Sequence, residues 1–243
     1  MFRFLALVVG AAVLLGGCGA DDGGGAPDPL AALATAVVKT ADSESFRAKM
    51  SVQSDLEGEE LGLMAVGTFT ADSSRGRFEG RMDVGQGWMD FEAIALDSVM
   101  YMKSGQFPLP GGKEWIGVSD QPMTSLSPSE FAAALRDSEG VRNVGTEEIR
   151  GERATHFRGR LDPEKVAEES NLEIAERLRR LPGAKDIEFA VDMWVAQDGL
   201  PSRISVDISM LGVAGSLEAT TDLLEYDVEV DVERPASDTV ASP

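Results

Sequence analysis

The chain has 243 residues, 43% of them apolar, with 42 acidic residues against 22 basic ones and a formal charge of −20. The length and apolar share support one domain with a real core, or one large β domain. The charge repels phosphate backbones, which counts against nucleic acid as a partner, and it equally disfavours electrostatic docking on anionic lipid.

Met1 to Arg3 form a short positive start, and residues 4–15 are an almost unbroken apolar run. That run is shorter than the roughly 20 residues that span a bilayer and has the length of a signal-peptide core. Leu15-Gly16-Gly17-Cys18 follows, and it resembles the bacterial lipobox. The resemblance implies a signal peptide over residues 1–17, cleavage before Cys18 and lipidation of its thiol. Cys18 is the single cysteine, so it has no intramolecular disulfide partner. A diacyl or triacyl anchor brings enough chains for stable attachment. The folded part is therefore expected at a cell membrane, lipid-anchored, on the extracytoplasmic face. Residues 18–29, rich in Gly, Ala, Asp and Pro, read as the lipidated cysteine and a flexible tether.

Asp28-Pro29 is a helix start, with Asp as N-cap and Pro in the first turn. The first helix is expected over residues 30–40. From Phe46 the period becomes two: Phe46, Ala48, Met50 and Val52 alternate with Arg47, Lys49, Ser51 and Gln53. Further strands are expected over residues 63–71, 75–84, 88–96, 99–103 and 114–118, with Gly and Asp in the gaps. Ser127-Pro128-Ser129-Glu130 is a capping box that opens a short helix to about residue 138. Strands 141–149 and 154–161 follow. Asp162-Pro163 starts a longer helix to about residue 181, ended by Pro182-Gly183.

In the last third, Ile187, Phe189, Val191, Met193 and Val195 alternate with Glu188, Ala190, Asp192, Trp194 and Ala196, and Ile204, Val206, Ile208 and Met210 alternate with Ser205, Asp207 and Ser209. Residues 213–223 are a weaker strand. Leu224, Tyr226, Val228, Val230 and Val232 alternate with acidic residues and read as a final strand, with Asp227, Glu229, Asp231 and Glu233 on a solvated face. Residues 235–243 read as a disordered tail. Strict alternation gives each strand one apolar face. Short connections imply an antiparallel meander. The fold class is α+β: a large curved antiparallel sheet of about 11 strands, with helices over its apolar face.

Signatures of enzyme chemistry are lacking, and the chain is read as no enzyme, with no cofactor and no metal. One histidine, His156, allows no two-histidine metal site. There is no Gly-x-Ser-x-Gly elbow. Gly111-Gly112-Lys113-Glu114 lacks the glycine spacing and the Ser/Thr of a P-loop. Gly85-Gln86-Gly87 reads as a turn. His156 falls on the polar side of its strand and is expected to be solvated. The row Asp227 to Glu233 spreads its carboxylates about 7 Å apart along one face, too far for tight Ca²⁺ coordination. Methionines are frequent on the strands, at 50, 64, 82, 89, 100, 102, 193 and 210. Their flexible, polarizable side chains suit an adaptable apolar cavity.

Three stretches carry a family resemblance. They are Val99-Met100-Tyr101-Met102-Lys103 with Lys113-Glu114-Trp115-Ile116-Gly117-Val118; Gly145-Thr146-Glu147-Glu148-Ile149-Arg150-Gly151 with Thr155-His156-Phe157; and Val191-Asp192-Met193-Trp194-Val195 with Asp198-Gly199-Leu200-Pro201-Ser202-Arg203. They resemble actinobacterial envelope lipoproteins of the LppX/LprG type, which share the fold of the periplasmic lipoprotein carrier LolA. Phe157 stands where that family often has Tyr. The resemblance implies a LolA-like half-barrel over residues 30–234, with an apolar cavity between sheet and helices. It further implies a function: holding lipid or lipoglycan acyl chains in that cavity and carrying or presenting them in the envelope. An envelope transporter is a further candidate partner.

The candidate cavity residues are Met50, Val52, Phe69, Phe91, Phe189, Val191, Met193, Ile204, Val206 and Ile208. Which strand face looks inward is left to the topology. The long helix over 163–181 and the loop over 104–112 are candidate gates. The alternative function is an envelope sensor or assembly factor that binds a protein partner without transporting lipid.

Overall fold

The computed structural model describes residues 28–56, 59–83, 85, 87–96, 98–106, 109–119, 127–161, 187–210 and 215–241. The expected signal peptide, Cys18 with its tether up to residue 27, and the helix over 163–181 lie outside the described residues.

Helix α1 (Pro29–Asp42) starts where the sequence requires. The Asp28 carboxylate accepts from the Leu30 amide at 3.2 Å, and Pro29 fills a position whose N–H would have no helical partner. Its inward face buries Leu33, Ala36 and Thr40. Helix α2 (Pro128–Arg136) opens on the expected capping box. The Glu130 amide donates to Ser127 Oγ at 3.2 Å, and the Ser127 amide donates to Glu130 Oε2 at 2.8 Å. It buries Ala132 and Leu135.

The strands are β1 (Ser45–Leu56), β2 (Glu59–Thr70), β3 (Arg75–Asp83), β4 (Trp88–Leu96), β5 (Val99–Lys103), β6 (Trp115–Ser119), β7 (Glu139–Ile149), β8 (Glu152–Leu161), β9 (Ile187–Ala196), β10 (Pro201–Met210), β11 (Gly215–Tyr226) and β12 (Val240–Ala241). All twelve form one sheet in the order β12-β6-β5-β4-β3-β2-β1-β11-β10-β9-β8-β7. Two meanders, β1 to β6 and β7 to β11, are joined where β1 pairs with β11. Pairing is antiparallel except between β12 and β6. The sheet is the open half-barrel expected, and α1 and α2 lie on its apolar inner face. They pack on each other and against the β7–β10 half.

Gly159 shows how closely α2 approaches. A Cβ there would stand 2.7 Å from Leu135 Cδ1 and 2.5 Å from Ser138 Oγ. Any larger residue on this inner position of β8 would hold the helix off the sheet.

Two expectations for the C-terminus are corrected. The alternating run to Val232 is not one strand. β11 ends at Tyr226, and Asp227 turns the chain with a positive φ of 55°. Residues 228–236 then cross the outer face of the sheet as an extended segment with no ladder of their own. The alternation is real, but its apolar side faces outer side chains: Val232 is buried with Ile94 and Tyr101. Nor is the segment beyond Arg234 free. The amides of Glu114 and Trp115 donate to Thr239 O at 2.9 and 3.1 Å, and Val240 and Ala241 pair alongside Trp115 and Ile116.

Candidate functional site

The register settles which face looks inward. Residues directly opposite on neighbouring strands share a side, so each cross-strand row can be followed through the sheet. One row runs Phe157, Met193, Ile204, Thr221, Met50, Ala65, Gly80, Phe91. The next runs Val191, Val206, Ala219, Val52, Leu63, Met82, Met89. A third holds Leu161, Phe189, Ile208 and Leu217. Phe69 lies beside Phe46, nearer the end of the sheet where α1 joins β1. All ten candidate cavity residues therefore share the face that carries α1 and α2.

They are not equally enclosed. Val191 and Met193 have no accessible surface and touch no water-sized space in this conformation. Phe69, Phe91 and Ile204 are buried in the same cluster. Toward the end with the β1–β2 hairpin, packing loosens. Phe189 and Ile208 keep 9% and 7% of their surface, and Met50, Val52, Val206, Leu63 and Met82 are half-buried. The apolar face thus opens in one direction along the strands.

On the β1–β4 half of this face, phenyl rings form a diagonal file. Phe46 and Phe69 stack with centroids 5.5 Å apart, Phe69 and Phe78 are 5.7 Å apart, and Phe78 meets Phe91 edge-on at 6.0 Å. The rings lie low because glycines stand opposite them. Phe69 pairs with Gly76, Phe78 with Gly67 and Phe91 with Gly80. A Cβ on Gly76 would meet Phe69 Cδ1 at 2.4 Å. This alternation of ring and glycine keeps the inner wall thin. Next to it, Met82, Met89, Met100 and Met102 form a soft wall. Met64 does not join them, since it pairs with Arg81 and Ser51 on the outer face. Phe46, read from the sequence only as part of an apolar strand face, and Phe78 with the glycines were not among the candidate cavity residues, because only register reveals which ring meets which glycine.

The outer face holds a polar constellation built from the motif residues. His156, expected in solvent, is only 4% exposed. The Trp194 ring, opposite it on β9, stacks over the imidazole at 4.2 Å with the planes 18° apart. His156 Nδ1 faces Glu147 Oε1 at 2.8 Å, and Nε2 faces Asp192 Oδ1 at 2.5 Å. Trp194 Nε1 donates to Glu147 Oε2 at 3.0 Å, and Arg158 Nε donates to Asp192 Oδ1 at 2.6 Å. Glu147 is held below the usual carboxylate range, chiefly by the Trp194 N–H and then by His156. Arg158 is pushed up by the Asp192 carboxylate. Both imidazole nitrogens face carboxylates, which leaves neither free to serve a nucleophile. The constellation ties edge strand β7 to β9 across β8. Among the described residues no three His, Cys, Asp or Glu are arranged to hold a metal ion.

The outer face also carries a groove of about 800 Å³, floored by Met64 and Val66 and rimmed by Lys49, Glu79, Arg81, Asp90 and Lys103. Charges of both signs line it, so it is a wet place for an acyl chain. The gate loop over 104–112 contributes Ser104 and Gly105 to this groove, and its end is a tight turn at Pro110–Gly112 in which Gly111 and Gly112 take φ of 71° and 70°. No described helix is long and apolar enough to cross a membrane.

No family profile matches the chain. A 31.2 kDa protein of Streptomyces griseus, encoded between rplA and rplJ and uncharacterized, is 33% identical over 151 residues. The match covers 54% of this chain and 48% of that protein, so the chain spans about half the length of this curated relative. Two crystal structures share the architecture over most of both chains. LprF from Mycobacterium bovis superposes with a TM-score of 0.55 at 16% identity, covering 87% of this chain and 98% of its own. The Mycobacterium tuberculosis lipoprotein LppX superposes with a TM-score of 0.51 at 20% identity, covering 86% of this chain and all of its own. The chain has the LppX-type fold.

Proposed function

We propose that this protein is a lipid-anchored envelope lipoprotein that receives acyl chains of a lipid or lipoglycan on the inner face of its half-barrel and carries or presents them. Cys18 is the anchor in this account, and the folded domain stands on the extracytoplasmic side of the membrane. The observation that carries the reading is the shared face: the ten apolar residues lie on one side of the sheet, nine of them in three adjacent rows, and exposure rises toward one end. Acyl chains would approach from that end, past Phe189, Ile208, Val206 and Val52. They would part the methionine wall, while a polar head group stays at the rim. Each CH₂ taken from water contributes about 0.8 kcal/mol, so two long chains are held firmly. An envelope transporter is the natural place to deliver such cargo.

A second reading, a sensor or assembly factor for a protein partner, draws support from the charged outer groove with its apolar floor. Native mass spectrometry of the secreted chain, freed of its anchor and prepared from an envelope-containing host, separates the two. The carrier reading expects a multi-acyl lipid bound near one to one. A bare protein mass that persists after incubation with host envelope lipids would leave the protein-partner reading in front.

A further inference from the structure

A second apolar cluster lies on the opposite side of the sheet from the main core. Ile94 on β4 and Tyr101 on β5 are each 6% exposed, and so is Val232 above them. Leu96, Val99, Trp115, Val230 and Val240 pack around these three. Their cover is the chain's own C-terminal segment.

That segment is fastened along its length. Ser45 Oγ donates to Val228 O at 2.5 Å, and Arg75 Nη2 donates to Val232 O at 3.1 Å. The Arg234 guanidinium sits 5.8 Å from the Tyr101 ring centroid. Lys113 Nζ donates to Asp238 O at 2.6 Å. The end adds two residues in parallel to β6, the edge strand of this side. A turn closed by Thr239 N and Oγ1 on Ala236 O sets up that pairing.

The position matters because of what lies on the other side of the same strands. β4 and β5 carry Phe91, Ala93, Met100 and Met102 inward. The described helices pack chiefly against β7–β10 instead. β4 and β5 are thus gripped from outside by the segment, while their front is the methionine wall. We infer that residues 228–241 form a brace that holds the β4–β6 wall in place, and that loosening the brace loosens the wall. Among the described residues the β7 edge has no such brace, and there the polar constellation around His156 ties the strand down. The carrier reading is needed only for the second of the two readouts below.

The test uses the mature chain and its Val232→Ser variant, which puts a hydroxyl into the cluster while keeping every backbone bond available. Hydrogen exchange is followed in β4–β6 and, as internal reference, in β8–β10. Release of a diacyl glycerolipid bearing pyrene on one acyl chain is followed by fluorescence. The brace predicts exchange at least tenfold faster in β5 and β6, unchanged exchange in β8–β10, and several-fold faster release. If Val232→Ser speeds exchange throughout the sheet, the milder Val232→Ala is read by the same criteria. Free exchange in residues 228–241 with unaltered β4–β6 would overturn the brace. Failure of the parent chain to hold the pyrene lipid would count against the carrier reading alone, since the exchange readout stands without it.

Discussion

The ring-and-glycine file makes a sharp prediction at Gly76. In the Gly76→Ala protein the new methyl would stand 2.4 Å from Phe69 Cδ1 and 2.9 Å from Cε1. Carbon atoms prefer about 3.5–4.0 Å, so the ring must move by more than ~1 Å, away from the sheet. Its neighbours Phe46 and Phe78 resist at 5.5 and 5.7 Å. Overpacking of this kind destabilises by about 1–3 kcal/mol, and a value near 2 lowers the melting temperature by about 4–8 °C in a domain of this size. Phe69→Ala alone costs about 3–5 kcal/mol. In that background the clash with the ring is gone and only Thr68 O, 3.0 Å from the new methyl, still crowds it, so Gly76→Ala should cost less than about 1 kcal/mol, a coupling beyond the additivity error of about 0.5 kcal/mol. Gly67 is the control. A Cβ there meets Arg77 O at 2.4 Å and Phe78 Cα at 2.7 Å, both backbone, so Phe78→Ala cannot rescue Gly67→Ala. Urea unfolding followed by tryptophan fluorescence measures all of these. A tolerated Gly76→Ala, or one that Phe69→Ala fails to rescue, would refute the reasoning.

Other predictions concern the polar constellation and the helix start. Asp192→Ala strips acceptors from His156 Nε2 and Arg158 Nε and leaves a buried ring nitrogen without its partner, a loss of about 2–3 kcal/mol by the same unfolding assay. Arg158→Ala removes a side chain that is 46% exposed and should cost less than about 1 kcal/mol. Glu147 has a folded-state pKa below its unfolded value, so its contribution is full above the ordinary carboxylate range and fades as pH falls through the folded value. Glu147→Gln should therefore weaken the protein near neutrality and flatten the acid limb of stability against pH. Ser127→Ala opens the capping box on α2 and should lower stability by about 1 kcal/mol, with Ser127→Asp restoring most of it.

The strands were legible because period two is written wherever one face is buried. Phe189 to Val195 and Ile204 to Met210 could be placed from alternation alone, and the caps at Asp28 and Ser127 from their own residue signatures. Alternation failed at two places for one reason: it reports an apolar side without saying what covers it. Val228, Val230 and Val232 alternate because they cover the outer face of other strands, with no ladder of their own. His156 follows the polar phase of β8, yet Trp194, Glu147 and Asp192 arrive from β9 and β7 and enclose it. The three stretches that carried the family resemblance looked like unconnected strand markers in the sequence. In the fold the second and third come together, with Glu147, His156, Asp192, Trp194 and Arg203 on four adjacent strands and Arg203 5.9 Å from the Trp194 ring centroid, while the first lies on β5 and β6 at the other end of the sheet.

The most direct measurement is where an acyl chain touches the protein. A diacyl lipid with a photoactivatable diazirine near the chain terminus would be loaded from vesicles and cross-linked, and the labelled residues mapped by peptide mass spectrometry. The account predicts labels on the inner rows, at Met50, Val206, Ile208 and Phe189, and on the methionine wall. Labels confined to the outer groove around Lys49, Arg81 and Lys103, or to residues 228–241, would contradict it.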